Sequence, residues 1–130
     1  MIKYTDSNRP DTTEVVALYA AALLRRPIDD PDRIARMYAG SPVVITARDE
    51  GRLVGILRGW TDGAFDGYVC DLAVHPEYQR AGIGRELLAR CEARSPEVQW
   101  VLRASVIAGR YYEHVGWSKI ENGWYKARSR

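Results

Sequence analysis

The chain has 130 residues, 46% hydrophobic and 28% charged, with a formal net charge of +2. This length suits one domain with one ordinary core, and the composition excludes a disordered chain. The small net charge does not provide the dense basic surface that nucleic-acid binding requires, so we expect no nucleic-acid partner. A net charge of +2 is compatible with a local basic pocket for a small anion. We predict a single domain over residues 1–130.

The cysteines and the N-terminal segment predict a cellular location. Cys70 and Cys91 lie on apolar faces of predicted elements, which favours buried free thiols and a reducing compartment. The first ten residues, MIKYTDSNRP, lack the apolar segment of a signal peptide, and no apolar stretch reaches the length of a membrane span. We therefore expect a cytoplasmic protein without a membrane partner.

The first forty residues predict one strand and two helices. IKYT forms the strand, and Asp11 with Glu14 forms a capping box that begins the first helix. Apolar residues then recur at helical spacing on one face: Val15, Leu18, Tyr19, Ala22 and Leu23. Pro27 ends this helix, Asp30 caps a second one, and Gly40 closes it.

The remaining residues predict a sheet interrupted by two helices. PVVITARDEGRLVGILRGW forms two strands joined at DEG, and YVCDLAVH forms a third that is buried on both faces. A helix follows the glycine stretch at Gly82, then VQWVLRAS forms a strand and IAGRYYEHVGW a short helix. WSKIENGWYKA predicts a final hairpin that turns at Asn122-Gly123. The fold class is mixed α/β (α+β): a largely antiparallel central sheet flanked by helices, with at least one parallel crossover.

Two glycines begin the helix within HPEYQRAGIGRELL, although glycine weakens a helix by roughly 1 kcal/mol relative to alanine. The dinucleotide fingerprint needs a third glycine at the place of Leu87, and a P-loop needs Lys-Ser/Thr where Arg85-Glu86 stand. A tight strand-to-helix turn is one interpretation. The other is an anion site on the helix N-terminus, to which Arg80 and Arg85 add charge. The second interpretation predicts a phosphate-bearing cofactor.

Two motifs resemble the GNAT superfamily of acetyltransferases. Gln79-Arg80-Ala81-Gly82-Ile83-Gly84, between a strand and a helix, is similar to the acyl-CoA signature Gln/Arg-x-x-Gly-x-Gly/Ala. AGRYYEHVGW resembles the second signature, with Ala108, Tyr112 and Gly116 at the family spacing and Trp117 in place of the usual Phe. Ser105 stands where the family often has Asn. The element order is similar to the family fold over essentially the whole chain.

The resemblance implies that acetyl-CoA is the co-substrate and assigns the residues that bind it. The backbone N–H groups of Leu72, Ala73 and Val74 would bind the pantetheine and polarise the thioester carbonyl. The loop amides would hold the pyrophosphate. The remaining cofactor-binding candidates are Gln79, Arg80, Ala81, Gly82, Ile83, Gly84, Arg85, Ser105 and Tyr112.

Tyr112 and Asp71 are the catalytic candidates. A phenol with a pKa near 10 stays protonated at neutral pH and can protonate a departing thiolate, so Tyr112 is the predicted general acid; a core aromatic is the alternative. Asp71 interrupts an apolar strand, where desolvation would raise its pKa and suit a general base. A structural hydrogen-bond acceptor is the alternative for Asp71, and His75, His114 or water remain open as the route for the amine proton.

The predicted acceptor site combines the RRPIDDP loop with nearby strand ends. Its candidate residues are Arg26, Asp29, Trp60 and Tyr68, and charges in the loop suit a zwitterionic or charged acceptor. Helix capping and a solvated turn are the alternative account of the loop. The resulting hypothesis is an N-acetyltransferase that acts on a primary amine of a small molecule by direct attack, without a metal. A protein N-terminal or lysine acetyltransferase, a non-catalytic acyl-CoA-binding module, a nucleotide-binding regulator and a homodimer are left open.

Overall fold

The computed structural model describes residues 1–105 and 108–130, which form five strands and four α-helices. In chain order these are β1 (Ile2–Thr5), α1 (Thr12–Ala22), α2 (Pro31–Ala39), β2 (Val43–Asp49), β3 (Arg52–Thr61), β4 (Asp66–Val74), α3 (Ile83–Arg94), β5 (Gln99–Leu102) and α4 (Gly109–His114). A short 3₁₀ turn at Pro76–Tyr78 lies between β4 and α3. None of the described helices is long and apolar enough to cross a membrane.

The five strands form one sheet in the order β1-β2-β3-β4-β5. Neighbouring strands from β1 to β4 are antiparallel, whereas β5 runs parallel to β4. The parallel pair requires a crossover, which α3 supplies. The predicted class, a mixed and largely antiparallel sheet flanked by helices, is therefore confirmed for the described residues.

The two faces of the sheet bury separate apolar clusters. On one face α3 contributes Ile83, Leu87, Leu88 and Cys91 to a cluster with β2, β3 and β4. On the other face α1 and α2 contribute Val15, Leu18, Tyr19, Ile34 and Tyr38. Because both faces are covered, the central strands have few polar side chains. A buried polar side chain on these strands, such as Asp71, therefore needs a specific partner.

The starts of α1 and α2 follow their capping residues. The Asp11 N–H donates to Glu14 Oε1 at 3.0 Å, which completes the predicted capping box, and Glu14 also pairs with Arg48 at 2.6 Å. The Asp30 carboxylate accepts from the Arg33 N–H at 3.1 Å at the start of α2. These caps fix where α1 and α2 begin, and the Asp30 cap marks the end of the α1–α2 loop.

The C-terminal hairpin predicted from Asn122-Gly123 is wrong for this structure. Residues 117–130 contain no strand, and the side chain of Trp124 is 97% exposed. A turn signal specifies how two strands connect but not that either strand finds a face to bury, and an isolated hairpin is marginal in water. The strand predicted for VQWVLRAS is shorter in the structure, where β5 covers Gln99–Leu102. The predicted last helix is α4, and Ile107 at its predicted start lies outside the described residues.

Candidate donor and acceptor sites

The two edges of β4 are paired to different extents. β3 pairs with β4 as far as Val74, but β5 pairs only with Asp66–Val69. Beyond Val69, the edge of β4 that would face β5 has no strand partner within the described residues. We call this segment the open edge of β4. The His75 N–H donates to Val54 O on β3 at 2.8 Å, so alternation directs the N–H groups of Leu72 and Val74 to the open edge. The same alternation turns the Ala73 N–H towards β3.

A β-bulge at Cys70 divides β4 into two halves. Arg58 lies opposite Asp71 and Gly59 lies opposite Val69, so Cys70 is an extra residue in β4. As a result Val69 packs in the α3 cluster, whereas Asp71 turns to the face covered by α1 and α2. The bulge lies just before the open edge of β4.

The glycine loop leads from the open edge of β4 to α3. Arg80 and Gly82 both have positive φ, +69° and +79°, and Gly82 is the N-cap of α3 with no side-chain cap. Left-handed residues next to a helix N-terminus leave backbone N–H groups free to bind an anion. A Cβ atom on Gly82 would meet nothing within 4 Å, so this residue serves the turn of the backbone and borders open space. Arg80 and Arg85 are exposed at the rim of this loop.

Gly84 serves close packing rather than a turn. A Cβ atom there would lie 2.9 Å from the Tyr111 hydroxyl oxygen and 3.8 Å from Val74 Cγ2. α4 therefore packs over the first turn of α3 and the end of β4. Gln79, in the same loop, donates from its side-chain Nε2 to the carbonyl oxygen of Val74 at 3.3 Å, at the open edge of β4.

The two tyrosines of α4 have different environments. Tyr111 reaches Gly84, whereas the partly buried Tyr112 packs against the α3 cluster and lies 6.1 Å from Trp117 between ring centroids. Burial raises the pKa of both phenols, so both stay protonated at neutral pH. Ser105 accepts from the Ala108 N–H at 3.2 Å and caps the turn before α4. The motif alone favours Tyr112 over Tyr111, whereas the structure shows that Tyr111 is the one that contacts Gly84 at the start of α3.

Asp71 is the centre of a buried polar cluster. Its side chain is fully buried and accepts from Arg26 Nε at 2.5 Å, Arg58 Nε at 2.6 Å and the Tyr19 hydroxyl at 2.6 Å. The Tyr38 hydroxyl hydrogen-bonds Tyr19. The expectation of a raised pKa for Asp71 is wrong: burial raises it, but the guanidinium of Arg58, the Tyr19 hydroxyl and Arg26 outweigh burial and lower the pKa. Burial raises the pKa of Tyr19 and Tyr38, so both phenols remain neutral.

Sequence reasoning placed Tyr19 on the core face of its helix and did not single out Arg58. An arginine inside the apolar run LVGILRGW was the available signal, because a buried charge requires a partner.

The structure places three of the four predicted acceptor residues around the bulge at Cys70: Arg26, Trp60 and Tyr68. Arg26, in the α1–α2 loop, bonds Asp71 and donates from Nη2 to the carbonyl of bulged Cys70 at 2.9 Å. Trp60 lies directly opposite Tyr68 across β3 and β4 and is 49% exposed. Asp29 is exposed on the same loop as Arg26. Arg26 and Tyr68 thus border the bulge, and the open edge of β4 begins on its other side.

Residues 20–130 match the family model described as an acetyltransferase (GNAT) domain. An acetyltransferase from Sodalis glossinidius, SG1711, is 35% identical over 86 residues, which cover 65% of this chain and 60% of that protein. A GNAT family acetyltransferase from Streptococcus pneumoniae, SP0256, has the same fold with a TM-score of 0.80 at 24% identity, covering all of both chains. The aminoglycoside N-acetyltransferase AAC(6')-Iy, solved with CoA, has a TM-score of 0.74 at 12% identity and covers 100% of this chain and 96% of that one.

Proposed function

Because the chain belongs to the GNAT acetyltransferase family, we propose that it transfers an acetyl group from acetyl-CoA to a primary amine of a small molecule. One observation carries this proposal. The edge of β4 that has no strand partner within residues 1–105 and 108–130 runs into a loop whose left-handed residues precede a helix N-terminus without a side-chain cap. An extended chain that ends in a pyrophosphate fits both parts at once, because edge amides bind extended ligands and helix N-termini bind phosphates.

In this proposal the donor site is built mainly from backbone groups. The N–H groups of Leu72 and Val74 hold the pantetheine and face the thioester carbonyl, and the loop from Gln79 to Arg85 holds the pyrophosphate. Acetyl-CoA supplies the activated acyl group. Preorganised N–H donors then stabilise the developing oxyanion, and holding the two reactants together removes much of the entropic barrier.

Tyr112 is the proposed general acid, on its place in the second motif, and Ser105 is a proposed cofactor-binding residue. Tyr111 is the competing candidate because its hydroxyl lies against Gly84. Tyr112→Phe and Tyr111→Phe form a matched pair, since each removes one hydroxyl from a half-buried ring. We expect Tyr112→Phe to lower kcat by about 10²-fold or more with the acetyl-CoA Kd nearly unchanged. A loss of kcat in Tyr111→Phe alone would transfer the role to Tyr111.

Asp71 is proposed as a positioning residue rather than the general base. A base must accept a proton from the amine, but both carboxylate oxygens of Asp71 already accept from Arg26, Arg58 and Tyr19. Its lowered pKa also makes it a weak base. We therefore assign loss of the amine proton to water.

Calorimetry with acetyl-CoA and, separately, ATP tests the donor. Heat with acetyl-CoA and none with ATP is expected, whereas absence of binding to acetyl-CoA would overturn the proposal. Release of free thiol from acetyl-CoA over a panel of amines, amino acids, aminoglycosides and peptides then tests catalysis. Binding without thiol release for any acceptor would favour a non-catalytic acyl-CoA-binding module, and release with peptides alone would favour a protein acceptor.

A further inference from the structure

The polar cluster around Asp71 has unequal numbers of positive and negative charges. Arg26 and Arg58 both pair with Asp71, and within the described residues neither has a second acidic partner. Tyr19 and Tyr38, the other members, are neutral because burial raises the pKa of each. One carboxylate thus faces two guanidinium groups, and one positive charge is not balanced.

Burial makes this imbalance costly. The side chains of Arg58 and Arg26 are 14% and 29% exposed, so little water solvates the excess charge. Arg58 donates from Nε to Asp71 and from Nη1 to Ser41 Oγ at 3.1 Å, and its Nη2 has no hydrogen-bond partner within the described residues. The Arg58 guanidinium also lies 5.8 Å from the Tyr38 ring centroid, which holds it in place. A carboxylate is the group that a held guanidinium with a free N–H binds best.

The excess charge lies where an acceptor would enter. Arg26 is bonded to the carbonyl of Cys70 in the bulge, and Leu72 of the proposed donor site is two residues farther along β4. On the other side, the half-exposed Trp60 and its neighbour Tyr68 provide an aromatic surface next to Arg58. A cationic group and an aromatic surface are thus adjacent on β3 and β4, and the open edge of β4 begins just beyond them.

We propose that the acceptor is a small amine that carries a carboxylate next to the amine and an apolar body, as in an aromatic amino acid. This inference rests on the proposed function. The carboxylate binds at Arg58 and Arg26, the apolar body lies on Trp60 and Tyr68, and the amine faces the acetyl group. The same excess charge disfavours polycationic acceptors such as aminoglycosides.

Three acceptors that differ in one group test the proposal: phenylalanine, phenylalaninamide and phenethylamine. Thiol release from acetyl-CoA measures kcat/KM for each. We expect phenylalanine to exceed both others at least tenfold, although the amide has the less basic amine and thus more free base at neutral pH. Equal rates for the three, or faster acetylation of the two acceptors that lack a carboxylate, would overturn the inference while leaving the acetyltransferase proposal intact.

Variants of Arg58 connect the preference to the cluster. Arg58→Gln is expected to reduce the tenfold preference to less than twofold, and Arg58→Lys to retain part of it because the charge remains. Arg36→Gln, an exposed residue of α2, is the matched control and should keep the full preference. A full preference in folded Arg58→Gln would contradict the proposal.

A binding measurement makes the test independent of turnover. Calorimetry compares N-acetylphenylalanine with N-acetylphenylalaninamide on the CoA-loaded protein, and the acid should bind at least tenfold more tightly. Equal affinities would refute carboxylate recognition even if no acceptor is acetylated. Failure to load CoA at all would instead contradict the proposed function, while the acid–amide comparison on the free protein still decides the carboxylate site.

Discussion

Replacing Asp71 by asparagine tests whether this carboxylate holds the acceptor side of the fold together. The substitution keeps the shape of the side chain but removes its charge. Arg26 and Arg58 then lose their ion-pair partner, and the amide nitrogen of asparagine cannot accept the hydrogen bonds that one carboxylate oxygen accepts now. The α1–α2 loop is attached to β4 through Arg26, so its attachment should loosen as well.

The magnitude follows from the burial of the three side chains. Removing one partner of a buried ion pair costs about 3–5 kcal/mol because the other charge is left without compensation. Asp71 is fully buried, but the two arginine side chains are 14% and 29% exposed and can recover some hydration. We therefore expect the lower end of the range, about 3 kcal/mol. A urea m value of about 2 kcal/mol per molar converts this into a midpoint lower by about 1.5 M.

Urea unfolding followed by circular dichroism measures the effect. Asp66→Asn is the control, because Asp66 begins the same strand but is exposed. A change below about 0.5 kcal/mol in Asp71→Asn would refute the ion-pair argument.

The pH dependence provides a second check on Asp71. Its pKa is lowered in the folded protein, so its contribution to stability is present above the unfolded pKa of about 3.9 and disappears as the pH falls through the folded pKa. The difference between the wild type and Asp71→Asn should be constant above about pH 5 and shrink below about pH 4. A difference that does not change between pH 7 and pH 3 would mean that charge is not its cause.

Three further substitutions probe the parts of the fold that position the sites. Gly67→Ala should destabilise the protein by about 2 kcal/mol in urea unfolding, because its Cβ atom would lie 2.5 Å from the Trp100 ring on β5. Glu14→Ala should lower the free energy of unfolding by about 1 kcal/mol, because it removes the capping box and the ion pair with Arg48. An equal loss of stability in Arg48→Ala would assign the effect to the ion pair and not to the capping box. Gly82→Ala should cost about 1 kcal/mol from its left-handed backbone alone, since nothing blocks the added methyl; unchanged stability would contradict that account.

Local signals in the sequence were sufficient for most of the elements and for the turn at the glycine loop, but not for the C-terminal hairpin. A helix cap or a tight turn involves residues only a few positions apart, so neighbouring residues in the sequence determine it. The caps at Asp11 and Asp30 and the turn at Gly51 are examples. The glycine stretch is similar: its conformation depends on the loop itself and on the helix that follows.

The cluster at Asp71 could not be predicted because it depends on distant pairings. Asp71, Tyr19 and Arg58 lie on three separate elements, and only the packed sheet brings them together. The C-terminal hairpin failed for a related reason. Its turn signal was local, but strand formation depends on a sheet edge to receive it.

The bulge at Cys70 explains how one strand serves both proposed sites. In a regular strand without the bulge, residues two apart share a face, so Val69 and Asp71 would lie on the same face. With it, Val69 remains in the α3 cluster while Asp71 turns to the α1–α2 face. The carbonyl of Cys70 is then available to Arg26, which brings the acceptor loop to the point where β5 stops pairing with β4. A single irregularity in the ladder therefore places the proposed acceptor surface beside the proposed donor edge, and transfer between two substrates requires that adjacency.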